Sequence, residues 1–161
     1  MPQRPLAYGP DGILRSHGDP IAERYAVLPS NVSVAGTKVA STQLEGAEQP
    51  TLDLWRLEQP PRLRDVKVGL QPNGDVYDEA TLRAYGCTSG SFVVTLLGKT
   101  TEEVRILLDD REVRRIPLED GQAETVTVAA SPERRDGRAV CTLTLRPSST
   151  LGTTRFDFAR G

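Results

Sequence analysis

The strongest constraint on this chain is a two-residue rhythm. In "SFVVTLLG", Phe92, Val94 and Leu96 recur at every second position, and in "AVCTLTLRP", Cys141, Leu143 and Leu145 do the same. Successive side chains of an extended strand point to opposite faces, so this spacing lays one apolar row along one side of a strand. "AETVTVAA" repeats the pattern with Val126 and Val128, and "TTRFDFAR" with Phe156 and Phe158. Only "DEATLRAY" offers a rival helical reading, with Asp78 as its N-cap. It is short, ends at Gly86 and also alternates, so a strand is the better reading.

Other segments follow the same rule less cleanly. "RYAVLP", "NVSVAG" and "TKVAST" read as short strands interrupted by Pro29 and Gly36. In "TLDLWRL", Leu52 and Leu54 are expected inward and Trp55 half exposed. In "RLRDVKVGL", Val66, Val68 and Leu70 form the expected core set. "EEVRILLD" and "EVRRIPL" flank "DDR", a hairpin connection. Val113 has the wrong parity for Ile116 and Leu118, which predicts a bulge near Arg114–Arg115. Pro117 lacks a backbone donor and predicts an edge position. "SFVVTLLG" is apolar on both sides and is expected at the centre of a sheet.

Roughly ten short strands at turn-marked intervals predict an all-β fold, an antiparallel two-sheet β-sandwich of jelly-roll or carbohydrate-binding-module-like kind. The 14 glycines and 12 prolines suit strands joined by tight turns. Residues 1–24 have turn signals and no period, and are expected to form an irregular arm tied down through Leu14, Ile21 and Ala22. Residues 25–160 form one sandwich domain, with no internal repeat or dividing linker.

The formal net charge is −2, and 17 arginines against 3 lysines make up the 20 basic residues. That balance gives no reason to expect a nucleic-acid partner. No apolar run is long enough to span a bilayer. "MPQRPLAYGPDG" has no basic region followed by an apolar stretch, so it is not a signal peptide. The chain is then either cytoplasmic or a piece of a longer exported or anchored one.

Cys87 and Cys141 form no CxxC, which argues against a redox motif or a structural zinc site. Two readings are open. They are separate buried thiols, or they pair, closing a loop of 54 residues. Pairing implies an oxidising compartment.

Catalytic constellations are thin. His17, the only histidine, lies between Ser16 and Gly18 with no nucleophile motif to serve. Gly98-Lys99-Thr100 lacks the upstream glycine spacing and following helix of a phosphate loop. Asp75, Asp78 and Glu79 are hard oxygen donors beside the Asn73-Gly74 turn, and calcium is the one metal they would suit. Their spacing is not that of an EF-hand, and solvating a loop is the plainer role. Asp109 and Asp110 fit a hairpin tip. Arg105, Arg111, Arg114 and Arg115 lie among the acids Glu102, Glu103, Asp109, Asp110 and Glu112, a mixed-charge edge that discourages unwanted strand pairing.

Aromatic residues give the better ligand clue. Trp55, Tyr77 and Tyr85, with Asn73 and Asp75 supplying polar contacts, would hold a sugar if two of the rings were exposed on one face. Packing in the core is the competing role for each ring.

"LDLWRLEQPPRLRDVKVGLQPNGDVYDEATLRAYGC" and "CTLTLRPSSTLGTTRFDFAR" together resemble a recurring extracytoplasmic domain of actinobacterial polytopic membrane proteins. The parents are glycosyltransferase-like or other envelope-polysaccharide proteins. A strand carrying Leu-Trp-Arg leads through a Gly-rich turn to one cysteine, and a second cysteine opens the strand before a Phe-x-Phe ending. The resemblance covers roughly residues 25–160. It implies a domain outside the cytoplasmic membrane in which Cys87 pairs with Cys141. It implies no catalysis and no cofactor in this chain, the chemistry belonging to the membrane-embedded parent. Envelope glycan and the parent's membrane-embedded parts are the expected partners. An independent carbohydrate-binding module and a protein–protein assembly domain are the rival readings. The first calls for coplanar exposed rings, the second for an exposed apolar patch.

Overall fold

The computed structural model describes residues 7–9, 11–43, 51–71, 74–76, 78–87, 90–130, 133–135, 138–148 and 154–160, with residues 133–135, 138–139 and 154–160 described by backbone alone. Among them are seventeen strands. β1 (Ala7–Tyr8), β2 (Leu14–Ser16) and β3 (Asp19–Pro20) open the chain, followed by β4 (Tyr25–Pro29), β5 (Val32–Val34) and β6 (Gly36–Gln43). Next come β7 (Thr51–Leu57), β8 (Leu63–Val68), β9 (Asp75–Val76) and β10 (Ala80–Tyr85). β11 (Ser91–Leu97), β12 (Glu102–Leu108), β13 (Arg111–Leu118) and β14 (Ala123–Ala129) precede β15 (Glu133–Arg135), β16 (Arg138–Pro147) and β17 (Thr154–Arg160). No helix among the described residues is long and apolar enough to cross a membrane.

All strand pairings are antiparallel. A seven-stranded sheet runs β13-β12-β16-β10-β8-β5, with β15 also paired to β16. A four-stranded sheet runs β14-β11-β17-β9. Alternating residues of both meet in one core. Leu82, Ile106 and Leu143 come from the larger sheet, and Phe92, Leu96 and Val126 from the smaller. The fold is thus all-β and sandwich-like. Each large apolar side chain withdrawn from water there contributes about 1.5–3 kcal/mol.

A second cluster lies on the other side of β10. Leu82 and Ala84 belong to the first core, whereas Tyr85 packs with Leu14, Ile21, Val34, Leu57 and Leu63. Alternation explains the split, since adjacent residues of a strand face opposite ways. Cross-strand partners extend the second face, with Tyr85 opposite Val140 and Arg83 opposite Val66, and both valines touch this cluster. The three-stranded sheet β4-β7-β6 contributes Leu57 and the half-buried Ala26, Leu28 and Trp55.

Several expectations meet their residues here. "DEATLRAY" is strand β10 rather than helix. β13 is an edge strand and carries Pro117. Its extra residue is Val113, because Ile106 faces Arg114 and Leu107 faces Glu112. The bulge is therefore one residue before the expected pair. Asp109 and Asp110 turn the hairpin with φ of 50° and 65°.

Others are corrected. Within the arm expected to be irregular, β1, β2 and β3 pair as a meander, in which His17 and Gly18 make the second turn at φ of 56° and 95°. Leu14 and Ile21 are buried as expected, while Ala22 is exposed. β7 presents Asp53 and Leu57 inward, and Leu52 and Leu54 lie on the opposite, half-buried side. In β8 the buried residue is Leu63, and Val68 is 61% exposed. β11 is central but buried on one face, with Thr95 exposed on the other. In β17 the register sets Phe156 opposite Leu96 and Phe158 opposite Val94. Their expected inward orientation lies outside the described side chains.

Candidate functional site

The end of β10 reaches a junction of three structural units. An isolated bridge joins Ile13 to Arg62, and Leu63 N–H donates to the Gly12 carbonyl at 2.7 Å. Ala35 N–H donates to the Arg62 carbonyl at 2.7 Å, and Glu58 N–H donates to that of Ala35 at 3.0 Å. These bonds pull the meander, the β5–β6 link and the β7–β8 turn around Tyr85. The result is a cleft of about 220 Å³ lined by Asp11, Glu58, Arg62, Arg64, Tyr85 and Gly86, with Ala35, Gly36 and Leu63 completing its wall.

Glycine permits the closest approach in this wall. A Cβ on Gly36 would lie 2.1 Å from the Arg56 carbonyl oxygen, and the residue's φ is 147°. Gly86, at φ of 64°, turns the chain after β10 toward Cys87.

The charges of the cleft are unevenly satisfied. Arg15 Nη1 donates to Asp11 Oδ1 at 2.8 Å, and Nη2 engages Oδ2. That bond raises the Arg15 guanidinium above its ordinary value. Arg62 and Arg64 alternate about the buried Leu63, and neither guanidinium has a hydrogen bond or ion pair among the described residues. The Tyr85 hydroxyl is pushed above its ordinary value, mainly by burial, with Arg83 opposing. It is therefore a proton donor, not a phenolate, near neutral pH. Tyr8 packs edge-on against the Tyr85 ring, centroids 6.0 Å apart and planes at 86°.

Of the ligand candidates named from the sequence that fall among the described residues, Tyr85 lines the cleft and Trp55 and Asp75 do not. Tyr85 is 6% exposed, so its ring face is committed to packing. Trp55 is half-buried against the same cluster, and its indole Nε1 is enclosed without a hydrogen-bond partner. These two rings do not form an open platform. Asn73 and Tyr77 lie outside the described residues. Asp75 is buried and accepts Lys99 Nζ on both carboxylate oxygens, at 2.7 and 2.8 Å.

Those contacts divide the three carboxylates considered for calcium. Asp75 faces Lys99, Glu79 pairs with Arg146, and Asp78 is exposed. Among the described residues no group of three or more His, Cys, Asp or Glu is placed to hold a metal ion. Lys99 of the GKT sequence thus has a structural partner. Cys87 and Cys141 form a disulfide with sulfurs 2.01 Å apart.

Arg62, Arg64, Asp11 and Glu58 were missed by the sequence reading. The one signal for them was "RLR", which sets two guanidinium groups on the same side of a buried leucine. Asp11 and Glu58 carry no such local signal.

No family model matches the chain, and no curated protein matches it. Among solved structures, the crystal structure of beta-glucosidase from Kluyveromyces marxianus in complex with glucose aligns at 9% sequence identity with a TM-score of 0.23. The alignment covers 99% of this chain and 19% of that one, so the chain spans about a fifth of that protein's length. A likeness this weak carries no argument.

Proposed function

We propose that the chain is a noncatalytic accessory domain that works outside the cytoplasmic membrane and contacts cell-envelope glycan through the Arg62–Arg64–Tyr85 cleft. In this reading the facing sheets form a sandwich of jelly-roll or carbohydrate-binding-module-like kind. Its parent is an actinobacterial polytopic glycosyltransferase-like or envelope-polysaccharide protein. The observation that carries the reading is the position of the disulfide. Cys87 follows Tyr85 and Gly86, both in the cleft wall, and bonds Cys141 on β16. One oxidised link thus anchors the ligand-facing rim, which ties the cleft's shape to an oxidising compartment.

Noncatalytic action is supported by the state of the cleft's groups. Asp11 is committed to Arg15, and Tyr85 is kept neutral by burial. Guanidinium groups lining a small recess suit binding better than proton transfer. Titrating the chain with bacterial envelope-glycan fragments while following backbone NMR shifts tests the reading. Saturable shifts at Gly36, Leu63, Tyr85 and Gly86 are expected. A panel of chemically diverse glycans that moves none of them refutes it.

A second reading, docking onto protein, draws on the outer face of β4-β7-β6. Val27 faces Leu54, and Leu54 faces Ala40. Tyr25 and Val27 are more than half exposed there. Exposed apolar surface gathered on one sheet face is a feature of contact sites, and the parent's other segments are the partner this reading names. Cross-linking from a cysteine placed at Val27 in the full parent protein tests it. Adducts within the parent support docking, and their absence removes it.

A further inference from the structure

We infer that the cleft takes the oxyanion of an acidic sugar residue, a carboxylate or a phosphate ester carried on the ring. The inference rests on the glycan reading above and names the ligand class of that same site.

Two guanidinium groups line the recess. Arg62, in the isolated bridge just before β8, and Arg64, within it, stand two residues apart, roughly 6.6 Å along extended chain, and both line the cleft. Strand alternation puts them on one side while Leu63 fills the interior. Neither guanidinium is paired among the described residues. Arg15 holds Asp11, Arg115 holds Glu112, and Arg146 holds Glu79, while Arg24, Arg56, Arg105, Arg111 and Arg114 also stand without an ion pair among the described residues, on open surface. What sets Arg62 and Arg64 apart is their place, since they are the two arginines that line this cleft.

Charge accounting within the cleft gives the same sign. Asp11 is balanced by Arg15 outside the lining, which leaves Glu58 against Arg62 and Arg64. The recess thus keeps one net positive charge. A guanidinium presents a planar fork of donors that matches a carboxylate or phosphate group, which a neutral hydroxyl cannot match with equal strength. The cleft is smaller than the roughly 300–1,000 Å³ usual for ligand pockets, so one sugar residue is the scale of what it admits. Tyr85, also in the lining, is neutral and adds no negative charge to the recess.

The test uses the intact, oxidised chain and backbone NMR shifts. The probes are glucuronate, glucose 6-phosphate, glucose and inorganic phosphate, each at low and high salt. The two acidic sugars are expected to give saturable shifts at Ala35, Gly36, Arg62, Arg64 and Gly86. Their binding should weaken as salt rises. Glucose is expected to bind at least about tenfold more weakly, since it makes no charge-assisted pair. The Arg62→Gln/Arg64→Gln double variant should lose about tenfold or more of the acidic-sugar affinity while keeping its Tm, because both side chains are exposed. Glucose binding as tightly as glucuronate, or full affinity in a folded double variant, overturns the acidic assignment and leaves glycan contact standing. Inorganic phosphate equalling glucose 6-phosphate overturns the sugar part. No shift with any sugar removes this inference together with the reading beneath it.

Discussion

Cys141 stands directly opposite Ala84 in the β10–β16 ladder, yet its sulfur is bonded to Cys87, three residues farther along. The chain must turn back after Tyr85 for this to happen, and Gly86 makes the turn with a positive φ. Both sulfur-bearing residues are buried, at 2% and 0% exposure. The link closes 54 residues of chain, which by the loop-entropy relation stabilises by about 4 kcal/mol. The Cys87→Ala/Cys141→Ala double variant is therefore expected to lose about that much in guanidinium denaturation. Its Tyr85 and Gly86 amide resonances should shift more than those of β14. Unchanged stability would mean that the crosslink restrains nothing the sheets do not already restrain.

Three glycines with positive φ separate backbone strain from collision. At Gly36 an added Cβ would meet the Arg56 carbonyl oxygen at 2.1 Å, and at Gly69 that of Glu79 at 2.0 Å. Gly121, at φ of 77°, has nothing within 4 Å of the same position. Gly121→Ala should cost about 1–2 kcal/mol, the left-handed penalty alone. Gly36→Ala and Gly69→Ala must move backbone as well, and each should cost about 3 kcal/mol or more. Urea midpoints of the three variants check the order. Equal losses would show that the close approaches relax without cost.

Legibility of the fold followed the strength of the local signal. The β12–β13 hairpin was readable because alternation, Asp-Asp turn chemistry and Pro117 agree on one answer. "TLDLWRL" was misread because hydrophobicity argues for Leu52 and Leu54, while Asp53 is drawn inward by bonds to residues of another strand. Val68 reads as core yet sits on an open face, since a period of two cannot say which side a neighbouring sheet will cover. The cleft was almost invisible for a different reason. Asp11, Gly36, Glu58 and Arg62 come from four separate segments, and only the backbone bonds around Leu63 bring them to Tyr85.

Asp53 shows how an acid is held inside β7. It is 3% exposed, accepts the Ser41 hydroxyl at 2.6 Å, and has Lys38 Nζ at 3.5 Å. The hydroxyl bond is short, whereas the lysine is half exposed and at the limit of contact. Removing a good partner from a buried carboxylate costs about 1–2 kcal/mol, and a screened ion pair is worth about 0.5 kcal/mol or less. Ser41→Ala is thus expected to destabilise more than Lys38→Met. Thermal unfolding of both variants beside the parent chain decides it, and the reverse order would make Lys38 the true anchor.

Tyr85 sets an alkaline limit on the fold. Burial raises its hydroxyl above the ordinary value of 10.0, with Arg83 lowering it less than burial raises it. An acid whose folded-state value is raised contributes its full stability below the unfolded value, here near pH 10. That contribution declines as the pH climbs through the raised folded value, because the unfolded chain gives up its proton first. Stability should therefore hold to about pH 10 and then fall with a slope that the Tyr85→Phe variant lacks. The variant keeps the ring among Leu14, Leu57 and Leu63, so its loss at neutral pH should stay near 1 kcal/mol. Phenolate absorbance followed against pH should show one tyrosine ionising above the ordinary value, and that step should be missing from Tyr85→Phe. If the wild-type and variant stability profiles run parallel above pH 10, the hydroxyl is not shielded by burial in the folded chain.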